Sequence, residues 1–367
     1  MSVIPKYQKI MDYIQDGIKN GSFAPDDKLP TEEKLSDMFS TSRPTVVKAM
    51  DHLKDMGIIY RVQGCGSFVS PGNKNDPLKA SRIISLILPF AQYRDSARID
   101  EMNILKGIVH RLNKHGYYTM IHYCNDDGES FIETFNSVKQ SISMGIIAYV
   151  AKGLIECPDI YRLFTEDMPF VLIDKSITGA DFPCVRSDNV AGGLLATKHL
   201  IESGYTNIYF LSDYNLTYNE SFRERYEGFC QGVRLYKDKA RFGHYMMNPL
   251  DYDISELEKT ASEIIAARHN GERTGLFCTS DYLAQKVYNI FRQKNARIPE
   301  DYGIIGFDGM GIKINGDLSL TTISQDFYNI GKVASETILK ILDNSRVSHD
   351  SVKSPVELLQ GDTTSQK

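Results

Sequence analysis

The sequence lacks the features by which several classes of protein are recognised. None of its 367 residues lie in a stretch that approaches the roughly 18 consecutive apolar residues of a membrane helix. Residues 1–9 lack the apolar run of a secretory signal, so we expect a cytoplasmic protein with no membrane partner. The six cysteines are far apart and form no CxxC pair, which predicts reduced thiols and no structural zinc site.

Common catalytic motifs are missing as well. The chain contains no HExxH, no GxSxG and no GxxxxGK[ST] sequence. The triplet Gly64-Cys65-Gly66 lacks the third glycine of a dinucleotide site. We therefore predict no catalytic residue, no cofactor and no metal.

Basic charge is not in excess. The chain has 42 Lys and Arg against 47 Asp and Glu, for a net charge of -5. Its first 70 residues hold nine basic and nine acidic side chains. Any contact with DNA must therefore come from the local placement of charge.

The first 70 residues nevertheless show the pattern of three helices followed by a hairpin. Apolar residues from Tyr7 to Ile18 recur at spacings of three and four, which predicts a helix. Thr31 is a predicted N-cap for a second helix whose apolar face holds Leu35, Met38 and Phe39. A third helix is predicted from Ser42, with a buried stripe at Val46, Val47, Met50 and Leu53. Residues 58–62 and 67–69 are predicted strands, joined by the glycine-containing turn 63–66.

This order predicts a winged helix-turn-helix over residues 1–70. The major groove of DNA admits one helix, and residues at the start of that helix reach the base edges. Here the start of the third helix carries Ser42, Arg43 and Thr45, with Lys48 one turn on. Gln63, Gly64 and Gly66 form the hairpin tip, whose glycines permit a close approach to a groove. A three-helix domain with no function in DNA binding accounts equally well for any one of these residues.

Taken together, residues 5–70 resemble the DNA-binding domain of the GntR family. The resemblance lies in the segments PKYQKIMDYIQDGIKNG, LPTEEKLSDMF, TSRPTVVKAMDHLKDMGII and VQGCGSFV. It implies that DNA is contacted by Lys6, Thr31, Ser42, Arg43, Thr45, Lys48 and the glycines of the wing. Many members carry an arginine that reads a base where this chain has Glu33, so the resemblance does not specify the operator sequence.

Residues 71–81 carry two prolines and few apolar side chains, which predicts a linker. From residue 82 to 367 short apolar strands alternate with amphipathic helices, which predicts an α/β domain of parallel sheets covered by helices. Its length favours two lobes. Predicted strands are 83–90, 118–124, 145–151, 170–174, 207–212, 275–280 and 303–307, and predicted helices include 100–115, 190–203, 219–235, 256–269 and 282–295.

Polar residues follow several of these strands, where two-lobed α/β proteins bind ligands. They are Tyr93, Asp174, Ser280 with Asp281, and Asp308, while Arg225 lies in a helix. Carboxylate, guanidinium and aromatic groups suit a neutral sugar. An aspartate in such a position often caps the next helix instead, and this reading is equally open for Asp281.

Residues 82–363 resemble the effector domain of the LacI/GalR family, which is similar to periplasmic sugar-binding proteins. The resemblance lies in SDNVAGGLLATKHLIESGYTNI, SFRERYEGF, CTSDYLAQKVY, IPEDYGIIGFDG and LTTISQDFYNIGKVA. It implies that Arg225 and Asp308 bind the sugar, that Gln325 is near it, and that Asp174 and Ser280 line the pocket. Many members have an asparagine where this chain has Ser280.

The combination of the two domains resembles the arabinose repressors of bacteria. The resemblance implies a homodimeric repressor with two partners: an operator in double-stranded DNA and a small sugar effector, with L-arabinose as the leading candidate. We expect the sugar to relieve repression by shifting a population between two states. A cytoplasmic sugar-binding protein, or an enzyme that acts on a sugar without a gene-regulatory role, is the alternative.

Overall fold

The computed structural model describes residues 5–24, 26–55, 58–62, 66–70, 82–90, 99–150, 168–177, 182–212, 220–246, 254–269, 271–345 and 351–365. The chain forms two compact units. One comprises Met1–Ile84 and Val138–Met144, and the other comprises Ser85–Ser137 and Gly145–Lys367. The predicted linker 71–81 lies outside the described residues.

The N-terminal residues form the three helices and the hairpin expected from the sequence. The elements are α1 (Lys6–Lys19), α2 (Glu32–Met38), α3 (Arg43–Asp55), β1 (Ile59–Val62) and β2 (Gly66–Val69). The strands β1 and β2 pair antiparallel. Thr31 caps α2 as predicted, because its hydroxyl accepts a 3.2 Å hydrogen bond from the backbone N–H of Lys34.

The core of this region follows the helical periodicity. Ile10 and Ile14 of α1, Leu35 of α2 and Val46 of α3 have no exposed surface. The prediction that Met38 lies on the buried face of α2 is wrong, since its side chain is 49% exposed. The helix ends at Met38 after only seven residues, so its apolar face is limited to the side that carries Leu35.

The larger unit contains two lobes, each built on a six-stranded sheet. The elements are β3 (Ile83–Phe90), α4 (Ile99–Lys114), β4 (Tyr118–Asn125), α5 (Gly128–Lys139), β5 (Gly145–Tyr149), β6 (Phe170–Ile173), β7 (Cys184–Ser187), α6 (Asn189–Glu202), β8 (Asn207–Ser212), α7 (Glu220–Tyr236), β9 (Arg241–Met246), α8 (Ile254–Ala266), β10 (Thr274–Cys278), α9 (Asp281–Gln293), β11 (Tyr302–Asp308), β12 (Lys313–Ile314), β13 (Leu318–Ser319), β14 (Thr321–Gln325), α10 (Phe327–Leu342), β15 (Val352–Ser354) and β16 (Val356–Leu359).

The sheet of the first lobe has the strand order β15-β7-β6-β5-β3-β4, and that of the second lobe has the order β16-β14-β11-β10-β8-β9. The neighbouring strands β5, β6, β7 and β15 run parallel, as do β9, β8, β10, β11 and β14. Strand β16 pairs antiparallel, against β14. Helices α4 and α10 pack in the first lobe and α6 to α9 in the second. The predicted parallel α/β architecture is confirmed.

The chain crosses between the lobes at three points, each with one residue between a strand and the next element. Asp188 separates β7 from α6, Asp326 separates β14 from α10, and Pro355 separates β15 from β16. The first and third crossings lie side by side, because the backbone N–H of Asp188 donates a 2.8 Å hydrogen bond to the carbonyl oxygen of Ser354. Such short, adjacent connections are the natural place for a hinge.

Helices α6 and α7 pack with unusually close backbones. A Cβ atom on Gly228 would lie 2.1 Å from the carbonyl oxygen of Val190, and one on Gly193 would lie 2.1 Å from that of Arg225. Only glycine permits this approach at either position. The contact places α7, and with it Arg225, at a fixed distance from the start of α6.

Seven strands of the larger unit were not predicted from the sequence, because they are short or polar. They are β7, β9, β12, β13, β14, β15 and β16. Thr321 and Thr322 are buried all the same, with their hydroxyls hydrogen-bonded inside the lobe. Within the described residues, no helix is both long and apolar enough to span a bilayer.

Candidate functional site

The start of α3 is an exposed polar surface. Ser42, Arg43 and Lys48 are exposed and Thr45 is partly exposed. The hydroxyls of Ser42 and Thr45 lie 3.0 Å apart. The free N–H groups and positive dipole end of a helix add to the attraction of this surface for phosphate.

Helix α1 brings a lysine to the same surface. The Nζ atom of Lys6 donates a 2.5 Å hydrogen bond to the carbonyl oxygen of Ser40, in the turn between α2 and α3. Lys48 also contacts α1, with its Nζ 4.6 Å from the centre of the Tyr7 ring. Thr31 lies next to Glu32, which pairs with Arg43. Six predicted DNA-binding residues therefore surround one helix terminus.

An ion-pair chain behind this surface was not predicted from the sequence. Glu32 of α2 lies 3.2 Å from the Nε of Arg43 and 3.4 Å from an Nη of Arg61 in β1. Arg61 also lies 3.1 Å from Asp51 of α3. These residues are distant in sequence, so no local spacing indicates that they meet. These ion pairs connect Arg43, the first residue of α3, to Arg61 in the wing.

The wing is described in part. Gly66 has φ +118°, a conformation that favours glycine, and a Cβ atom there would lie 3.1 Å from Cε of Lys28. The other two residues predicted at the hairpin tip, Gln63 and Gly64, lie outside the described residues. Their contact with DNA stays a prediction.

Arg225 of α7 is the centre of the polar cluster in the larger unit. It is 3% exposed, and its guanidinium lies over the ring of Phe307 at 3.8 Å. Its Nε donates to Oδ1 of Asn189 at 3.0 Å, and one Nη donates to the carbonyl oxygen of Thr279 at 2.5 Å. The same Nη lies 3.2 Å from the carboxylate of Asp308.

Asp308 and Gln325 complete this cluster. Nε2 of Gln325 donates a 2.8 Å hydrogen bond to Oδ1 of Asp308, the oxygen that also faces Arg225. The side-chain oxygen of Gln325 accepts a 2.5 Å hydrogen bond from the hydroxyl of Ser187. Ser187 and Gln325 end β7 and β14, so the cluster lies where the chain crosses between the lobes. The structure thus brings together Arg225, Asp308 and Gln325, as the resemblance implied.

Two aspartates predicted at this site have strained backbones. Asp308 has φ +128° and Asp174 has φ +71°. Such conformations cost of the order of 1–3 kcal/mol in non-glycine residues, and they occur most often at binding sites. Asp174 follows β6 and is partly exposed. Tyr93 lies outside the described residues.

Ser280, and not Asp281, caps the helix that follows β10. Ser280 is the N-cap of α9, with its hydroxyl accepting a 3.2 Å hydrogen bond from the backbone N–H of Leu283. Asp281 therefore does not cap that helix. Its carboxylate accepts from the hydroxyl of Thr322 at 2.5 Å and from the backbone N–H of Met310 at 2.8 Å, which holds the loop after Asp308. Effector binding by Ser280 stays a prediction.

Burial dominates the protonation of Asp281. The residue has no exposed surface, and burial raises its pKa to about 6 although the hydrogen bonds from Thr322 and Met310 and the charge of Arg225 oppose the increase. Asp281 thus begins to accept a proton in mildly acidic solution. A change in its charge would reach Asp308 through the loop that it holds.

Several members of the polar cluster were not predicted from the sequence. Asn189, Ser187 and the backbone of Thr279 all contact Arg225 or Gln325. The SDN sequence at 187–189 was part of the recognised motif, but its polar character alone gives no partner. Over the described residues, no three His, Cys, Asp or Glu side chains are arranged to hold a metal ion.

Two family models match the chain. Residues 6–69 match the bacterial regulatory proteins of the gntR family, and residues 197–364 match a periplasmic binding protein-like domain. The first match covers the helices and wing around Arg43. The second covers the lobe that holds Arg225 and Asp308, together with α10.

Known proteins are similar to most of the chain. An arabinose metabolism transcriptional repressor of Geobacillus stearothermophilus is 25% identical over 349 residues, which cover 94% of this chain and 93% of the relative. A ribose operon repressor of Halalkalibacterium halodurans is 26% identical and covers 78% of this chain and 80% of its own length.

Solved structures show the same fold in the larger unit. A periplasmic binding protein/LacI transcriptional regulator from Alkaliphilus metalliredigens, complexed with D-xylulofuranose, has a TM-score of 0.60 and 24% identity over 78% of this chain and all of its own. The lac repressor dimer bound to operator and an anti-inducer has a TM-score of 0.61 and 18% identity over 77% of this chain and 94% of its own. The chain therefore joins a DNA-binding domain of the gntR type to a periplasmic-binding-protein-like domain.

Proposed function

We propose that this regulator is a repressor whose affinity for an operator is controlled by a neutral sugar. The observation that carries the proposal is the cluster of Arg225, Asp308 and Gln325 at the crossing between two lobes. Guanidinium, carboxylate and amide groups bond pairs of hydroxyls, and a ligand bound there contacts side chains next to the hinge. The same chain carries a recognition helix.

The charges around the cluster support a ligand without charge. Arg225 is paired with Asp308, and the neighbouring Arg186 is paired with Glu220 and Glu224. A phosphorylated sugar favours cations that lack a carboxylate partner, whereas a neutral polyol is bound equally well by pairs of acid and base.

L-arabinose is the effector that we propose. The full-length likeness to an arabinose metabolism repressor supports this choice, and the likeness to a ribose operon repressor makes D-ribose the first competitor to test. Both relatives are named as repressors, which supports a regulator rather than an enzyme. We propose that the regulator acts in the cytoplasm, without a cofactor.

The proposed mechanism is a shift between two arrangements of the lobes. A ligand shifts this equilibrium only if it binds one arrangement more tightly than the other. Coupling of about 1–3 kcal/mol is typical, so L-arabinose is expected to weaken operator affinity by about 5–150-fold. The reciprocal effect follows from linkage: operator DNA weakens arabinose binding by the same factor.

We propose a homodimer as the DNA-binding form. Two recognition helices in one dimer read two half-sites of a pseudo-palindromic operator. Helices α4 and α10 form an apolar groove lined by Met102, Leu105, Val109 and Tyr328, with Met102 50% exposed. A second copy of the chain is the occupant that we propose, in keeping with the lac repressor dimer that has the same fold. Met102→Lys is expected to weaken the dimer in sedimentation equilibrium, while Ile254→Lys, at another exposed apolar residue, should not.

Calorimetry and a DNA-binding assay together test the function. The chain contains no tryptophan, so calorimetry is more informative than intrinsic fluorescence for sugar binding. L-arabinose, D-ribose and D-xylose are titrated into the full-length protein. Genomic fragments are then selected by the protein at fixed salt, with and without each sugar. If no fragment is preferred in either condition, the protein is not a repressor. If operator binding is found but no sugar changes it, the sugar effector is wrong.

A further inference from the structure

Three charged side chains connect the two lobes beside Arg225. Arg186 lies in β7 of the first lobe, and Glu220 and Glu224 lie one turn apart on α7 of the second. One Nη of Arg186 is 2.7 Å from Glu220, and the other is 3.2 Å from Glu224. Their side chains are only 12%, 18% and 14% exposed. Removing one partner of an ion pair shielded from solvent to this degree is costly, because the other charge is left buried without compensation.

Glu220 has a second contact with the first lobe. Its carboxylate accepts hydrogen bonds of 2.9 Å from the backbone N–H and from the hydroxyl of Ser176, which follows β6. Burial alone would raise the pKa of Glu220, but the Ser176 N–H and the Arg186 guanidinium bring it below the ordinary value. Glu220 therefore stays ionised and anchors Arg186.

Glu224 connects Arg186 to the binding site. One of its oxygens faces Arg186, and the other accepts a 3.2 Å hydrogen bond from Nδ2 of Asn189. Oδ1 of Asn189 in turn accepts a 3.0 Å hydrogen bond from Nε of Arg225. Asn189 is 2% exposed. A carboxylate only accepts and a guanidinium only donates, so Glu224 holds the NH₂ group of Asn189 and leaves its oxygen for Arg225. The carbonyl oxygen of Ser187 is a second, longer acceptor for that NH₂ group, at 3.4 Å.

We propose that Glu224 is a positioning residue for effector binding: through Asn189 it orients Arg225, and through Arg186 it makes that orientation depend on the position of the other lobe. The inference rests on the proposed function, in which Arg225 binds the sugar. It explains how the lobe arrangement and the sugar affinity are coupled, since the chain Arg186–Glu224–Asn189–Arg225 begins in one lobe and ends at the site in the other.

The substitution Glu224→Gln interrupts this series of contacts with little change in the shape of the side chain. The position faces two donors, Arg186 and Asn189. A carboxylate accepts from both, but an amide offers one oxygen and one NH₂ group. In either orientation, the NH₂ group of the new amide therefore faces one of these two donors.

Protonation of Glu224 is a second way to weaken the contacts between Arg186 and Arg225. Burial raises the pKa of Glu224, against the opposing effects of Arg186, Asn189 and Lys353, while the nearby charge of Glu220 adds to the increase. On acidification Glu224 therefore takes up a proton before Glu220 does. Protonation removes its charge and one acceptor, and the sugar affinity is expected to fall with it.

The first experiment measures the affinity of the full-length protein for L-arabinose by calorimetry. Glu224→Gln is expected to lower the affinity about tenfold, as the loss of one charged hydrogen bond of about 1.5 kcal/mol implies. Glu227→Gln, an exposed glutamate on the same helix, is the matched control and should stay within about twofold. In a cycle with Arg186→Gln, the double variant should lose little more than either single variant, because the two side chains act as one unit. Additive losses would overturn the connection to the first lobe.

The second experiment needs no sugar. The Nε–H signal of Arg225 is followed by NMR in protein labelled with ¹⁵N-arginine, and assigned from its loss in Arg225→Lys. Asp281, whose raised pKa is about 6, also interacts with the charge of Arg225, so the comparison is made in an Asp281→Asn background. There the signal is expected to shift on acidification from neutral pH, and in Glu224→Gln/Asp281→Asn the shift should disappear. An identical shift in both proteins overturns the positioning function.

The two experiments separate the inference from the proposed function. If L-arabinose does not bind the wild type but the pH-dependent shift of the Arg225 signal requires Glu224, the proposed effector is wrong and the positioning function of Glu224 is supported. If L-arabinose binds with equal affinity to the wild type and Glu224→Gln, the effector stands and the positioning function is wrong. If Glu224→Gln fails to fold, the pH titration of the Arg225 signal and of the sugar affinity in Asp281→Asn decides, and constancy of both contradicts the inference.

Discussion

The hydroxyl of Ser187 donates a 2.5 Å hydrogen bond to the side-chain oxygen of Gln325, across 138 positions of sequence. The two residues end the strands from which the chain crosses between the lobes in opposite directions. The amide of Gln325 also donates to Asp308, so a ligand on Asp308 is one hydrogen bond away from a hinge contact. The polar cluster of Arg225, Asp308 and Gln325 is thus directly hydrogen-bonded to a residue at a crossing point.

Arg43→Ala is expected to lower the affinity for the operator by about 1–3 kcal/mol, because an arginine at the start of a recognition helix contributes about that much when it reads a base. Arg43 is 78% exposed and is held by Glu32 alone in the described contacts. The measurement is an electrophoretic shift with a selected operator at constant salt.

The control for this measurement is Arg292→Ala, which removes an exposed arginine of α9. Both variants lose one positive charge, so a general electrostatic effect lowers both affinities alike. Equal affinities of Arg43→Ala and Arg292→Ala would remove Arg43 from the DNA contact.

Arg225→Lys is expected to lower the affinity for L-arabinose by more than about tenfold while operator binding is retained. Lysine keeps the charge but does not provide the fork that now bonds Asn189, Thr279 and Asp308. Calorimetry measures the sugar affinity, and operator binding reports that the protein is folded. A sugar affinity equal to that of the wild type would place the site elsewhere.

Gly228→Ala is expected to destabilise the larger unit by about 1–3 kcal/mol or more, because the new methyl group would lie 2.1 Å from the carbonyl oxygen of Val190. The two helices have to separate to admit it. Thermal unfolding measures the loss, with Glu227→Ala as the control at the adjacent exposed position. Equal melting temperatures of the two variants would show that α6 and α7 are not in close contact.

Asp281 should make the stability of the larger unit depend on pH in an unusual direction. Its pKa is raised to about 6 in the folded protein, so between about pH 4 and pH 6 the folded state binds more protons than the unfolded state. The free energy of unfolding therefore falls as the pH rises through this range, by an amount on the order of 2–3 kcal/mol for a shift of about two units.

The measurement compares urea unfolding of the wild type and Asp281→Asn at several pH values. Asparagine does not titrate, so the difference between the two proteins isolates Asp281. The wild type should lose stability relative to Asp281→Asn as the pH rises from about 4 to about 6. A difference that is constant over this range would contradict the raised pKa.

Local patterns in the sequence were enough for most of the secondary structure. The helix with Ile10 and Ile14, the cap at Thr31 and the strands 83–90 and 207–212 lie where periodicity and capping placed them. These features depend on residues a few positions apart, whose interactions are nearly the same in any fold. The exposure of Met38 and the burial of the polar strand β14 were not predicted, because both depend on the tertiary packing around them.

By itself the sequence determined most of the elements and the two kinds of domain, and it indicated candidate residues for binding DNA and hydroxyl groups. Only the tertiary structure decided which side chains meet: Ser187 with Gln325, Arg186 with Glu224, and Glu32 with both Arg43 and Arg61. The physical reason is that hydrogen bonds and ion pairs act over a few ångströms in space, whereas the distance between two residues along the chain does not specify which strands become neighbours. Folding of the two sheets brought these residues together and thereby connected the polar cluster to the crossing points between the lobes.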